Sequence, residues 1–341
     1  MSFAVALAGC GYFSRFHQDA WSRIEDVQVV GLADRDPAKL AAAGALFPEA
    51  ARFADAAAML EATRPDLVDI VTPPATHLEL VGAASSRGIP IVCQKPVAPS
   101  WAEAVAVVET AERAGVKLVI HENFRFMPWF AEAKRLLDAG AVGQPLNISF
   151  RLRPGDGQGP DAYLARQPYF QTMPRFLIHE TGIHLVDVFR FLLGEIIGVF
   201  ARLRRLNPRI KGEDAGYVVF DFASGAAGLF DGNRLVDHPA ADTRMTNGVM
   251  LLEGTGGTIR LDGYGRLFVR PHGGAEAEHA YRWEDRGYGG DCVFLQTCHI
   301  VDHFRRGTPV ANEGRAYLRN FAIEEAIYRS DREARFVTVE T

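Results

Sequence analysis

The stretch Phe3-Ala4-Val5-Ala6-Leu7-Ala8-Gly9-Cys10-Gly11-Tyr12-Phe13-Ser14 passes from an apolar run, through two glycines, into residues with helical spacing. A short run without polar interruption reads as a parallel strand covered on both faces. Beyond the glycines, Phe13, Phe16 and Ala20 recur on one side of a helix. The same grammar continues along the first third. Val27 to Ala33 is a second strand ending at Asp34, and Asp36-Pro37 supplies an N-cap and a first helical residue. Leu67 to Val71 is a strand closed by Pro73-Pro74. Thr76 and Glu79 have the spacing of a capping box, and the helix they open stops at Gly88. The strand Ile89 to Cys93, a second box at Ser100 and Glu103, a helix ending at Gly115 and the strand Val116 to Ile120 complete the series. Such alternation predicts a doubly wound parallel sheet.

Near residue 121 the pattern changes. A helix from about Trp129 to Ala139 leads into half-buried strands at Leu146 to Leu152, Val199 to Leu203, Tyr217 to Phe222, Met250 to Glu253 and Leu267 to Val269. A mostly antiparallel sheet with a few helices is the economical reading, so this part is α+β. The expected division is residues 1–120 and residues 121–341, and a chain of 341 residues suits two cores. The loop Pro154 to Thr172 is long for a compact domain and is expected to be functional or mobile. The last helices, around 291–305 and 312–329, are expected to return to the boundary.

Composition narrows the function. The net charge is -5, with 48% hydrophobic and 23% charged residues, and no basic stripe is present, so nucleic acid is not an expected partner. Arg202, Arg204, Arg205 and Arg209 read as a solvated strand face. The four cysteines form no C-x-x-C pair, which fits a reducing, cytoplasmic setting. Leu7-Ala8-Gly9-Cys10 imitates a lipoprotein cleavage box, but the segment before it is too short and lacks Lys and Arg. No apolar run approaches the roughly 20 residues of a membrane span.

Gly9-x-Gly11-x-x-Ser14, between a strand and a helix, occupies the place of a G-x-G-x-x-G dinucleotide fingerprint of the Rossmann type. The first glycine permits the turn, and the second lets the backbone approach a pyrophosphate at the helix N-terminus. Ser14 stands where a third glycine normally allows close packing. Asp34 has the spacing of an acid that hydrogen-bonds the adenosine ribose, and a carboxylate there repels a 2′-phosphate. NAD is therefore expected over NADP, with Arg35 softening the preference.

Thr72-Pro73-Pro74-Ala75-Thr76-His77 and Cys93-Gln94-Lys95-Pro96 resemble the corresponding segments of the Gfo/Idh/MocA oxidoreductases. Gly212-Glu213-Asp214 and the closing Ala326 to Ser330 with Arg335-Phe336-Val337 extend the likeness over the whole chain. The resemblance implies an N-terminal Rossmann domain and a C-terminal domain whose open sheet commonly forms a dimer or tetramer interface. Relatives usually carry Glu where this chain has Gln94. The family's lysine maps onto Lys95, as proton-transfer and polarising residue. Its acid and histidine map onto Glu180 and His184, the acid being Asp in many relatives. At i,i+4 on a helix the two would share a face, so that Glu180 can orient His184. The expected cofactor contacts are Gly9, Gly11, Tyr12, Phe13, Ser14, Asp34, Arg35, Thr72, Pro73, His77, Gln94 and Lys95. Asn123, Arg125, Tyr163 and Arg175 join Lys95, Glu180 and His184 as expected substrate contacts. Tyr169 is a further aromatic candidate in the loop, while Phe170 and Phe176 read as core or rim.

His179-Glu180-Thr181-Gly182-Ile183-His184 superficially suggests zinc. Five residues on a helix turn the two histidines about 140° apart, so no shared metal is expected. A polar pocket of this kind suits a polyhydroxylated substrate. The expected reaction is oxidation of a sugar, first of an aldose C1 hydroxyl to a lactone. The Gly-Tyr-Phe-Ser-Arg-Phe-His, Cys-Gln-Lys-Pro and His-Glu-Asn-Phe-Arg-Phe segments further resemble D-apiose dehydrogenases. A cyclitol dehydrogenase, an NAD-dependent glycosidase and a non-catalytic NAD sensor are the alternatives.

Overall fold

In the computed structural model, which describes Ser2 to Glu340, the chain divides into two compact units. The first takes in Met1–Asn123 and Val293–Arg319, and the second Phe124–Cys292 and Asn320–Thr341. In chain order the first contains β1 (Phe3–Ala8), α1 (Ser14–Ser22), β2 (Val27–Ala33), α2 (Pro37–Leu46), β3 (Ala51–Phe53), α3 (Ala56–Thr63), β4 (Leu67–Ile70), α4 (His77–Ser85), β5 (Ile91–Gln94), α5 (Trp101–Arg113) and β6 (Leu118–His121). The six strands pair in parallel in the order β3-β2-β1-β4-β5-β6. Val5, Leu7, Leu32, Leu67, Val92 and Val119 fill its core. The order reverses between β1 and β4. In open α/β sheets a crevice for ligands lies beyond the carboxyl ends of the strands at that point.

Local chemistry accounts for several helix starts. Asp36 accepts from the backbone N–H groups of Ala38 and Lys39, with Pro37 as first helical residue. Ser100 Oγ accepts from the Glu103 N–H, the N-cap bond of the expected box, and its hydroxyl donates to the Glu103 carboxylate. Thr76 does not cap α4. Its hydroxyl lies 2.7 Å from the Thr72 hydroxyl and donates to the Pro73 carbonyl, and Thr76 itself is already helical. The buried face of α1 is also displaced from the expected one. Ser14, His17, Gln18, Ala20 and Trp21 are buried, while Phe13 and Phe16 are only partly covered.

The second unit begins with α6 (Pro128–Asp138), followed by β7 (Pro145–Leu152), α7 (Ile183–Leu193), β8 (Ile196–Arg204), β9 (Ala215–Phe222), β10 (Ala227–Asn233), β11 (Gly248–Gly254), β12 (Gly257–Leu261), β13 (Leu267–Pro271) and β14 (Ala277–His279). Next come α8 (Cys292–Arg306), α9 (Gly314–Glu333) and β15 (Val337–Thr338). Nine strands form one mixed sheet in the order β14-β13-β12-β11-β7-β10-β9-β8-β15, parallel only between β7 and β10. The sequence reading missed β3, β10, β12, β14 and β15, which are short or glycine-containing. Along β9, Val218, Phe220 and Phe222 are buried and Tyr217, Val219 and Asp221 are exposed. Among the described residues, no helix is long and apolar enough to cross a membrane.

Candidate active site

The turn after β1 is built for close approach. Gly9 has φ +101°, and a Cβ there would lie 2.5 Å from the Val71 carbonyl oxygen. At Gly11 a Cβ would meet nothing within 4 Å, so the backbone is open to a ligand on that side. This is the cradle a pyrophosphate needs. Ser14 is buried, and its hydroxyl donates to the Gly9 carbonyl at 2.6 Å. The missing third glycine is thus replaced by a tie between the helix and the turn. Beside it, Arg15 lies 4.2 Å over the Tyr12 ring and donates to its hydroxyl, while Phe13 leans on Phe16.

Asp34 uses both carboxylate oxygens on this turn. One accepts from the Cys10 N–H at 2.7 Å and the other from the Asp36 N–H at 2.8 Å. Its remaining lone pairs suit a ribose diol. Arg35 is exposed. Burial, reinforced by the Asp34 charge, pushes the Cys10 thiol up to about 12, so Cys10 stays a thiol. Beyond β4, Pro73 is exposed, and Thr72 offers its carbonyl to His77 Nε2 at 2.8 Å. His77 Nδ1 faces the Val97 carbonyl at 3.0 Å. This buried ring therefore joins the loop after β4 to the loop after β5 that carries Lys95. Burial lowers its pKa against the opposing pull of the two carbonyls.

Lys95 is half-buried at the end of β5, and its peptide with Pro96 is cis. Its backbone N–H donates to Gln94 Oε1 at 2.7 Å. Behind Gln94 lies a polar group the sequence reading did not single out: His17, Asp69 and Trp21, all buried. Gln94 Nε2 is 2.9 Å from His17 Nε2, and His17 Nδ1 is 2.8 Å from Asp69 Oδ2. Trp21 Nε1 donates to the same Asp69 oxygen at 2.7 Å. The His121 ring lies tilted against the His17 ring, centroids 4.1 Å apart, and Asn123 is fully buried.

In the second unit, Leu177–Gly182 forms a π-helical turn that runs into α7. The expected helix is there, but its first turn is wider than an α-turn, as often happens at functional sites. His184 is buried and lies flat against Phe124, ring centroids 3.9 Å apart. The Glu180 carboxylate takes hydrogen bonds from Arg234 Nη1 at 3.2 Å and from the Thr181 hydroxyl at 2.5 Å. Arg234 itself is 4% exposed. It also binds Asp156 and lies over the rings of Tyr163, Phe170 and Phe176. Burial alone would raise the Asp156 pKa, yet Arg234 and Arg166 outweigh it and hold the carboxyl below its ordinary range.

Three residues expected at substrate have protein partners here. Tyr163 packs against Phe170 and Phe176 in the small core of the long loop. Arg125 grips Asp187 with two bonds, of 2.7 and 2.6 Å. Arg175 forms a two-bond pair with Glu325 and lies over the Tyr328 ring. Tyr169 is half-exposed, and burial raises its hydroxyl to about 12. His179 pairs with Glu324 at 2.7 Å. Among the described residues, no three His, Cys, Asp or Glu side chains are grouped to hold a metal.

Residues 3–122 match the model of the GFO/IDH/MocA oxidoreductase family with NAD-binding Rossmann fold, and residues 130–260 match that family's C-terminal domain. The chain is 34% identical over 343 residues to a D-apiose dehydrogenase of Rhizobium rhizogenes, covering 98% of this chain and 96% of that one. The chain belongs to the Gfo/Idh/MocA oxidoreductases. A D-apiose dehydrogenase of Paraburkholderia graminis is 35% identical over 352 residues, covering 99% and 90% of the two chains. An oxidoreductase from Agrobacterium radiobacter, crystallised in complex with NAD+, L-tartaric acid and magnesium, superposes with a TM-score of 0.90 at 33% identity over 99% of both chains. This Gfo/Idh/MocA member is thus an NAD-binding oxidoreductase, and its glycine turn and Asp34 fit that cofactor. Arg234, Asp156 and Asp69 lie outside the motifs, whereas His17 closes the Gly11 to His17 segment. Only a polar residue on a buried helical face, as at His17, gave a signal.

Proposed function

We propose that this oxidoreductase oxidises a sugar, with the C1 hydroxyl of an aldose going to a lactone and D-apiose as the first substrate to test. The observation that carries this is the likeness, at 34% and 35% identity over nearly the whole chain, to two D-apiose dehydrogenases. Bound NAD supplies the hydride acceptor. Lys95 takes the hydroxyl proton and polarises the oxygen as the hydride departs. His184, stacked on the Phe124 ring, hydrogen-bonds the same oxygen, and Glu180 orients it. Asn123 offers an amide to the neighbouring hydroxyls. Arg125, Tyr163 and Arg175 act through the side chains they hold, as the wall behind the substrate.

A screen of sugars and cyclitols for NAD reduction, with product identification, tests the substrate. D-apiose should give the highest kcat/KM, and its product should be the lactone. Lys95→Met keeps length but removes charge and proton. It should lower kcat by about 10²–10⁴-fold and leave NAD affinity nearly intact. Near-native turnover in that variant would sink the mechanism whatever the substrate.

We further infer that residues 1–120 serve NAD while residues 121–341 serve substrate and assembly, and that the protein is a homodimer or homotetramer of the cytoplasm. The support for assembly is an apolar row on the open sheet face. Val219 on β9 pairs with Leu229 on β10, and both are exposed, as is Tyr217 two residues along β9.

A further inference from the structure

One donor in the buried chain of polar groups behind Lys95 has no choice. A backbone N–H can only donate, so the Gln94 atom 2.7 Å from the Lys95 nitrogen must be the amide oxygen. The Gln94 NH2 group then points at His17 Nε2, 2.9 Å away, which must accept. At the other end, Trp21 Nε1 can only donate, so Asp69 Oδ2 is an acceptor. That oxygen also lies 2.8 Å from His17 Nδ1, which must therefore carry the ring's proton. One arrangement satisfies these contacts: Asp69 Oδ2 as acceptor, a neutral His17 with hydrogen on Nδ1, and Gln94 turned with oxygen toward Lys95. An imidazolium would set an N–H against the Gln94 NH2 group. The groups facing the ring are Asp69 from β4, Gln94 from β5, His121 from β6 and, from α1 and the turn before it, Trp21 and Phe13.

We propose that Asp69, His17 and Gln94 are positioning residues for Lys95, a relay that fixes the backbone of the lysine by fixing a histidine tautomer two side chains away. The proposal rests on Lys95 being the proton-transfer group, but the relay itself does not. It also accounts for the amide at position 94. A carboxylate there would accept from both neighbours, which requires His17 to take up a proton on Nε2. Gln94 and a neutral His17 therefore belong together.

Two measurements test this on the full-length protein saturated with NAD. The first is nitrogen NMR of the histidine rings, with His17 assigned by loss of its signal in His17→Gln. At pH 7.5 the His17 ring should be neutral with hydrogen on Nδ1, and in Gln94→Glu it should become imidazolium. An Nε2–H ring or an imidazolium in the wild type would overturn the relay, as would a neutral ring in Gln94→Glu. The second is kinetic. Gln94→Leu, which removes both bonds, should lower kcat by about 10–100-fold through misplacement of Lys95, with NAD affinity changed less than about threefold. Gln94→Glu, which keeps both bonds, should recover most of that loss. Unchanged kcat in Gln94→Leu would overturn positioning. If instead Lys95→Met turned over normally while the His17 spectrum matched, the lysine assignment would fall and the relay would stand.

Discussion

A methyl group at Gly9 would press on the Val71 carbonyl from a left-handed backbone, whereas one at Gly11 would enter empty space. The two glycines of one fingerprint therefore serve different ends, fold and ligand. Gly9→Ala should destabilise the protein by about 1–3 kcal/mol, the usual range for a forced backbone conformation. Gly11→Ala should leave the unfolding temperature unchanged while weakening NAD binding. Thermal unfolding beside NAD titration separates them, and equal behaviour of the two variants would contradict the assignment. At Asp34 the question is cofactor choice. The native protein should show higher kcat/KM with NAD than with NADP, and Asp34→Ser should narrow that gap. A strong native preference for NADP would mean that Arg35 governs the ribose pocket.

Elements show where sequence patterns suffice and where they fail. The strands β1, β2 and β4 were legible because burial on both faces leaves an apolar run, and Asp36 and Ser100 cap as their spacing required. The box at Thr76 failed because Thr76 is itself helical, at the end of the turn Pro74–Thr76, with its hydroxyl turned back to Thr72 and Pro73. The face of α1 was misread because its buried side carries His17 and Gln18, which periodicity counts as polar. The π-turn at Leu177–Gly182 has no sequence signature, and only folding brings Arg234 between Asp156 and Glu180. Arg234→Met should remove the guanidinium that the Asp156 and Glu180 carboxylates share, leaving Asp156 with Arg166. Loss of about 3–5 kcal/mol is expected from breaking such a buried cluster, read by urea denaturation. His77 gives a pH signature. Its pKa is lowered by burial, so below about pH 6.5 the unfolded chain binds a proton that the folded one refuses until its own lower value is reached. Stability should fall across that window as pH drops. The fall should be shallower in His77→Gln, and identical slopes would refute the assignment.

Over the whole molecule, the exposed row of Val219 and Leu229 is the surface on which the proposed assembly can be tested. Contiguous apolar surface on a sheet usually marks a contact with another protein. Sedimentation should show a dimer or tetramer, and Val219→Glu with Leu229→Glu should dissociate it. A stable native monomer at micromolar concentration would contradict the inference. Chain connectivity has a consequence of another kind. The first unit is completed by residues far along the chain: Ile120 donates to the Asn312 carbonyl, Val119 bridges to Glu313, and Tyr317 donates to the buried Glu122. Helix α9 then continues into the second unit without a break. A single crossover between genes of two relatives near residue 123 would therefore join a first unit to a foreign closing segment. Exchange of the nucleotide-binding module needs a second crossover inside one helix, at a matching helical phase. Recombination should consequently diversify this architecture less readily than point substitution within each unit.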